Sequence, residues 1–387
     1  MTTLDGIPEL LLARMHRSRE QPISYLLVKL ATRCNLACRY CYWFRDGDVY
    51  NRPPVLTPEA QEAWLRRLKR HINLFQLKTF RILFHGGEPL LFGLRRFSDL
   101  LEKLSSLSSS TGCALPYVIT TNGALINQQW AALFRDYKVS VTISVDGPAS
   151  IHDVNRIYLN GRPSHGDCEA AFQILREAGV EPGILAVCLP SSNPRQVVDY
   201  FVDRLCIREF DILVPDATHL DNPASIAEYY TALFDYVYKT RAADRISIRL
   251  FRSMIRGLLG IESRSESIGL GPITTVTLLT DGALEPLDVI RTTGWGVTKT
   301  AFNVFQDDLE DIKEDPLWQE LFLAGFLPSA TCQACEFYHA CGGGHVAARW
   351  SPERRFDNPS VYCEDYKRIL GHIWQEVGER IALRAVT

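Results

Sequence analysis

An α/β fold built on a parallel sheet, a β/α barrel or part of one, is predicted by three observations on this chain. Six short runs rich in Val, Ile, Leu and Phe recur between residue 24 and about residue 215. Amphipathic stretches of helical period separate them, and that alternation implies right-handed crossovers between parallel neighbours. Clusters of Cys, Gly, Asn and Asp follow the ends of the runs, where the βα loops of a barrel converge.

In chain order the predicted strands are 24–30, 79–85, 116–121, 139–145, 183–189 and 210–214. Helices are expected at 58–72, where Pro58 follows the capping residue Thr57, and at 94–107 and 168–178. The serine run 105–110 reads as a loop. Past residue 220 the pattern changes: helices at 220–239 and 249–259, then a hairpin over 274–290 that turns at Asp281-Gly282. An acidic stretch, 307–315, leads into a cysteine-rich segment and a closing helix over about 364–382. The organisation expected is an N-terminal helical segment (1–23), a barrel (24–220), a helical bridge (221–272) and a C-terminal extension (273–387).

Bulk properties narrow the class. With 387 residues, 46% of them hydrophobic, a formal charge of −3 and a pI near 6.3, the chain has the core of a globular protein and no electrostatic footprint for nucleic acid. No apolar run approaches the ~18 residues that span a bilayer, and no secretory signal is read, so a cytoplasmic location is expected. Of eleven cysteines, seven fall in two tight groups. Cys113, Cys168, Cys188 and Cys206 stand singly and read as small buried hydrophobes.

The first group, Cys34, Cys38 and Cys41, has the spacing C-x3-C-x2-C. Three thiolates on one 4Fe-4S cube leave one iron without a protein ligand, free to take a substrate or cofactor. Zinc is the competing reading, but it wants four ligands, and only the distant His71 and His85 lie within reach in sequence. Strand two ends in His85-Gly86-Gly87-Glu88-Pro89, strand three in Thr121-Asn122-Gly123 and strand four in Ser144-Val145-Asp146-Gly147. Paired glycines permit close backbone approach, and proline withholds a donor. Glu88 reads equally as a charge at a helix N-terminus, Asp146 as a turn residue, Arg156 as a solvated cation and Val187 as plain core.

Taken together, these motifs resemble those of radical SAM enzymes. The resemblance implies a partial (β/α)6 TIM-like barrel whose open iron binds S-adenosylmethionine and whose electron releases a 5'-deoxyadenosyl radical. It implies that Tyr40 lies by the adenine and that Gly86, Gly87, Glu88 and Pro89 form the platform for the methionine amine. Asn122, Ser144 and Asp146 match positions at the cofactor, Arg156 in His152-Asp153-x-x-Arg156 would meet the methionine carboxylate, and Val187 would pack on adenine. A reducing protein such as flavodoxin or ferredoxin is the implied electron source.

The second group, Cys332, Cys335, Cys341 and Cys363, resembles the SPASM extension of radical SAM peptide maturases, which implies one auxiliary 4Fe-4S cluster; four thiolates equally suit structural zinc. A second auxiliary cluster is not expected, because Gly344 and Leu287 stand where that family has cysteines. Asp288, next to Leu287, matches a catalytic base of related sulfatase maturases, provided burial raises its pKa; otherwise it caps the hairpin or binds Arg291. The pattern resembles maturases of ribosomally made precursor peptides, cyclophane formers among them. The expected chemistry is abstraction of a Cβ hydrogen and closure of an aromatic ring onto that carbon. The alternatives are oxidation of Ser or Cys to formylglycine, thioether formation or epimerisation, and a non-catalytic iron-sulfur carrier or scaffold.

Overall fold

A computed structural model describes residues 9–263, 265–294 and 296–386. The barrel strands are β1 (Tyr25–Ala31), β2 (Arg81–Gly86), β3 (Tyr117–Thr121), β4 (Ser140–Ser144), β5 (Gly183–Val187) and β6 (Glu209–Leu213). They pair in sequence order, every pair parallel, as the predicted alternation requires. Three short strands complete one open nine-stranded sheet in the order β7-β6-β5-β4-β3-β2-β1-β8-β9. β7 (Ser247–Ile248) extends the β6 edge, and β8 (Val276–Leu278) lies parallel to β1 with β9 (Leu284–Glu285) antiparallel beyond it. The predicted hairpin therefore exists, but it is built into the barrel sheet rather than set apart in the extension.

Local chemistry explains the helices. Thr57 accepts a hydrogen bond from the Ala60 N–H at the start of helix Pro58–Phe75, whose buried Ala60, Ala63, Trp64, Leu68 and Ile72 make one stripe at helical spacing. Helix Leu94–Thr111 buries Phe97, Leu100, Leu101, Leu104 and Leu107 and runs through the serine stretch expected to be a loop. There the hydroxyls of Ser106, Ser110 and Thr111 donate to carbonyls one turn back, so the serines continue the helix.

The remaining differences have local causes as well. Helix formation after residue 220 waits until Ala227, past Pro223, and the helix Ala227–Asp235 ends in a π-turn. Its first N–H groups are capped by Asp365 of the closing helix Cys363–Val386, which ties extension to barrel. Of the expected N-terminal segment, Glu9–Glu20 is helical and residues 1–8 lie outside the described residues. Cys113, Cys168 and Cys188 are buried as expected; Cys206 is exposed, in a turn at φ +54° that ends the helical segment before β6.

A buried ionic cluster fixes the loop after Cys41 to the hairpin. Arg291, fully buried, donates to Asp46 (2.6 Å) and Glu285 (2.5 Å), and Arg52 donates to Glu285 (3.2 Å), Asp281 (2.7 Å) and Asp48 (2.9 Å). The Arg291 guanidinium also stacks 4.7 Å from the Trp43 ring centre. Removing one partner of such a pair strands a charge where water cannot reach it. Arg291→Met is expected to lower unfolding free energy by about 3–5 kcal/mol, read from the denaturant midpoint at unchanged slope.

Candidate functional site

All six barrel strands deliver their loops to one rim, and the cysteine loop lies at its centre. It sits down on the end of β2: a Cβ on Gly86 would lie 2.4 Å from the Ala31 carbonyl oxygen, and one on Gly87 2.4 Å from that of Arg33. The glycine pair thus admits the backbone of the cysteine loop. The N–H groups of Gly87 and Glu88 donate to those same carbonyls, both at 2.8 Å.

Glu88 is fully buried and accepts from the Thr121 hydroxyl (2.7 Å), the Asn122 N–H (2.9 Å) and the Leu90 N–H (3.0 Å). Burial lifts its pKa to about 7 against those three bonds. Its side chain is a brace between β2 and β3 and the cap of the turn Pro89–Phe92. Asn122, so positioned, lies 3.7 Å from Cys34 Sγ through Nδ2, which also donates to Asn35 (2.8 Å).

Across the rim, Asp146 joins three of the predicted residues. It accepts from the Tyr40 hydroxyl (2.5 Å) and the Val187 N–H (3.0 Å), and Arg156 Nε stands 3.1 Å away. Arg156 also reaches Cys38 Sγ at 3.9 Å and the Tyr40 ring at 5.3 Å. The buried Arg156 Nε has no aligned acceptor, which suits a ligand carboxylate. His152 locks this corner: its Nδ1 accepts from the Asp146 N–H (3.3 Å) and its Nε2 meets Ser164 (3.0 Å). Burial, with Arg156 beside it, holds His152 neutral at a pKa of about 3. The Ser144 hydroxyl has no hydrogen-bond partner among the described residues.

The sulfur spacing bears on the choice of metal. No three cysteine sulfurs among the described residues lie mutually within 4.8 Å, whereas tetrahedral zinc at ~2.3 Å draws its thiolates to about 3.8 Å. Cys332, Cys335, Cys341 and Cys363 line a cavity of about 350 Å³ together with Phe337 and Tyr366. Cys34 accepts from the Leu36 N–H (3.3 Å), an interaction of the kind that tunes a cluster.

The two positions where the family's second auxiliary cluster would draw cysteines, 344 and 287, are closely packed. Gly342, Gly343 and Gly344 have φ of +58°, +81° and +69°, and Arg349 clamps them by donating to all three carbonyls. A Cβ on Gly344 would strike the Tyr366 ring at 2.7 Å. Leu287 packs into an apolar cluster with Ile290, Leu321, Val346 and Trp350.

Asp288 departs from expectation. It does not bind Arg291, which is taken by Asp46 and Glu285. Instead its Oδ2 accepts from Lys29 Nζ and the Tyr42 hydroxyl, both at 2.5 Å, and Lys29 is also 2.9 Å from His85 Nδ1 and 4.2 Å from the Trp43 ring centre. Burial alone would raise the Asp288 pKa. The Lys29 ammonium, helped by His85 and Tyr42, outweighs it and holds the carboxyl at about 2. Lys29, a lone charge in the apolar run of β1, is the sequence signal for this cluster.

Residues 28–202 match the Radical SAM superfamily. The cysteine-type anaerobic sulfatase-maturating enzyme of Clostridium perfringens (strain ATCC 13124) is 26% identical over 366 residues, 90% of this chain and 95% of its own. The structure of native anSMEcpe with bound AdoMet superposes with a TM-score of 0.76 at 25% identity, covering 92% of this chain and 99% of that one. Streptococcus suis SuiB bound to precursor peptide SuiA shares the fold, with a TM-score of 0.62 at 17% identity over 92% of this chain and 79% of that one.

Two cages predict the metal content. Anaerobically reconstituted protein is expected to carry about eight iron atoms per chain, falling to about four in Cys335→Ala or Cys363→Ala. Gly344→Cys is expected to add none and to lower stability, since it strains a left-handed backbone position against Tyr366. Iron and sulfide assays with a denaturant series check all three.

Proposed function

We propose that this chain, whose residues 28–202 match the Radical SAM superfamily, is a maturase that crosslinks a ribosomally made precursor peptide. Its substrate is a peptide segment carrying an aromatic residue near a residue with an abstractable Cβ hydrogen. The product joins the ring carbon to that Cβ.

When bound, the cluster on Cys34, Cys38 and Cys41 together with S-adenosylmethionine supplies a 5'-deoxyadenosyl radical, and the cluster on Cys332, Cys335, Cys341 and Cys363 supplies an outlet for one electron. The chain's own residues do the rest. Arg156, with its unaligned Nε, and the backbone of Gly86 to Pro89 are proposed to seat the carboxylate and amine of the cofactor. Tyr40, held by Asp146, and Val187, whose N–H that same carboxylate accepts, are proposed to flank the adenine, with Asn122 and Ser144 at the rim beside them. Asp288 stays ionised between Lys29 and Tyr42 and serves as a fixed negative pole below the reacting carbon.

The observation that carries the reading is the complete radical site combined with the filled second-cluster position, where the Tyr366 ring and Leu287 stand. A second reading, oxidation of a Ser or Cys side chain to formylglycine, is favoured by the end-to-end likeness to the sulfatase-maturating enzyme of C. perfringens. Both begin with removal of a Cβ hydrogen.

The test is anaerobic turnover with S-adenosylmethionine and dithionite on the peptide encoded beside this chain. Crosslinking is expected to give a peptide lighter by two hydrogens, resistant to fragmentation between the joined residues and inert to hydroxylamine. An aldehyde trapped by hydroxylamine establishes the second reading instead. Absence of 5'-deoxyadenosine removes both.

A further inference from the structure

We propose that Asp216, rather than Asp288, is the carboxylate that takes the proton from the substrate in the oxidative step; this rests on the peptide-modifying reading above. Asp216 lies just beyond the end of β6, on the rim where the other strand ends place the cofactor residues. Asp288 enters from the opposite side of the sheet, after β9.

The two carboxylates differ in what they have left to offer. Asp288 is 7% exposed at the side chain, and its Oδ2 already accepts from an ammonium and a phenol. Asp216 is 25% exposed at the side chain and accepts no hydrogen bond among the described residues. The ring nitrogen nearest to it is His345 Nδ1, at 3.9 Å, beyond hydrogen-bond reach. A carboxylate on the rim, a quarter exposed and with empty acceptor sites, is arranged to receive a proton from a ligand.

The surrounding charges support the same role. Burial, then the standing charge of Asp288, lift the Asp216 pKa to about 7, and Arg45 pulls it back only in part. Arg45 is engaged by Asp221 at 2.8 and 2.9 Å. The phenols of Tyr42, Tyr362 and Tyr366 also lie within the field of Asp216, each held in its neutral form by burial. His345 is kept neutral at a pKa of about 4 by burial and by Arg349. A base near neutrality takes a proton at working pH, whereas one at about 2 is too weak to hold it. Burial first, and the locked Asp288 second, thus make Asp216 basic.

In the crosslinking step the C–C bond has formed and the ring carbon still carries its hydrogen. That C–H bond breaks, the proton passes to Asp216, and the one remaining electron leaves to an iron-sulfur oxidant, the class of centre for which the four-thiol cage is spaced. His345 sits on the same glycine loop that follows Cys341, so proton and electron acceptors lie on adjacent segments.

The test compares wild type, Asp216→Asn and Asp216→Glu as reconstituted holoenzymes with matched iron content and circular dichroism. Asp216→Asn is expected to lower modified peptide by about 100-fold or more while 5'-deoxyadenosine forms within about twofold of wild type. Asp216→Glu is expected to recover part of the product. Wild-type product formation should rise with pH and level off above about 7, as the carboxylate becomes ionised. That limb should vanish in Asp216→Asn, which separates it from Glu88, a braced carboxyl of similar pKa. Independently of turnover, isotope-edited infrared spectra with labelled aspartate should show a carboxyl band titrating near pH 7 in wild type and missing in Asp216→Asn. Equal product-to-deoxyadenosine ratios in Asp216→Asn and wild type overturn the assignment alone. Failure of wild type to alter the peptide overturns the parent reading and this one together.

Discussion

The close backbone contact between the cysteine loop and the end of β2 is the constraint on which the site depends. Ala31 and Arg33 present their carbonyls to N–H groups of Gly87 and Glu88 across a gap that no side chain on 86 or 87 would permit. That contact sets where Cys34, Cys38 and Cys41 stand relative to the strand ends. It also explains why the Glu88 side chain turns inward to brace β3, leaving backbone at the rim. The glycines serve protein packing first, and a ligand platform follows from the shape the packing leaves.

The carboxyls of Glu88, Asp146, Asp288 and Asp216 perform separate work because their neighbours differ. Glu88 spends its acceptors on β3 and its own turn, and Asp146 gathers Tyr40, Val187 and Arg156 at one corner. Asp288 is neutralised by Lys29, and Asp216 is left without a bonded partner. A fully buried lysine beside an aspartate costs desolvation on both sides, so the pair is weak evidence of stability and stronger evidence of a site that needs a charge held still. The Arg291 cluster does the structural part, anchoring the loop that carries Tyr42 and Trp43 to the hairpin that carries Asp288.

The extension is joined to the barrel rather than appended. β8 pairs with β1, Asp365 caps the helix Ala227–Asp235, and the Gly342 to Gly344 loop is clamped by Arg349 so that His345 approaches Asp216. Tyr366 packs against Gly344, and Leu287 lies in an apolar cluster. One auxiliary centre, one rim and one peptide-sized chemistry are therefore parts of a single arrangement.

The chain order alone determined the parallel barrel, the two cysteine groups, the strand-end motifs and the absence of thiols at Gly344 and Leu287. These are local matters, since strand periodicity, ligand spacing and the presence or absence of a thiol are written within a few residues. Folding decided what depends on residues far apart. Lys29 and Asp288 are separated by 259 positions, so neither the ion pair nor the lowered pKa of Asp288 is visible in either segment. The same holds for Asp216, an unremarked acid in Val214-Pro215-Asp216, whose basicity arises from burial and from a charge delivered by a distant hairpin. Protonation in a protein interior is set by what tertiary contact places within a few ångströms, and no spacing along the chain records it.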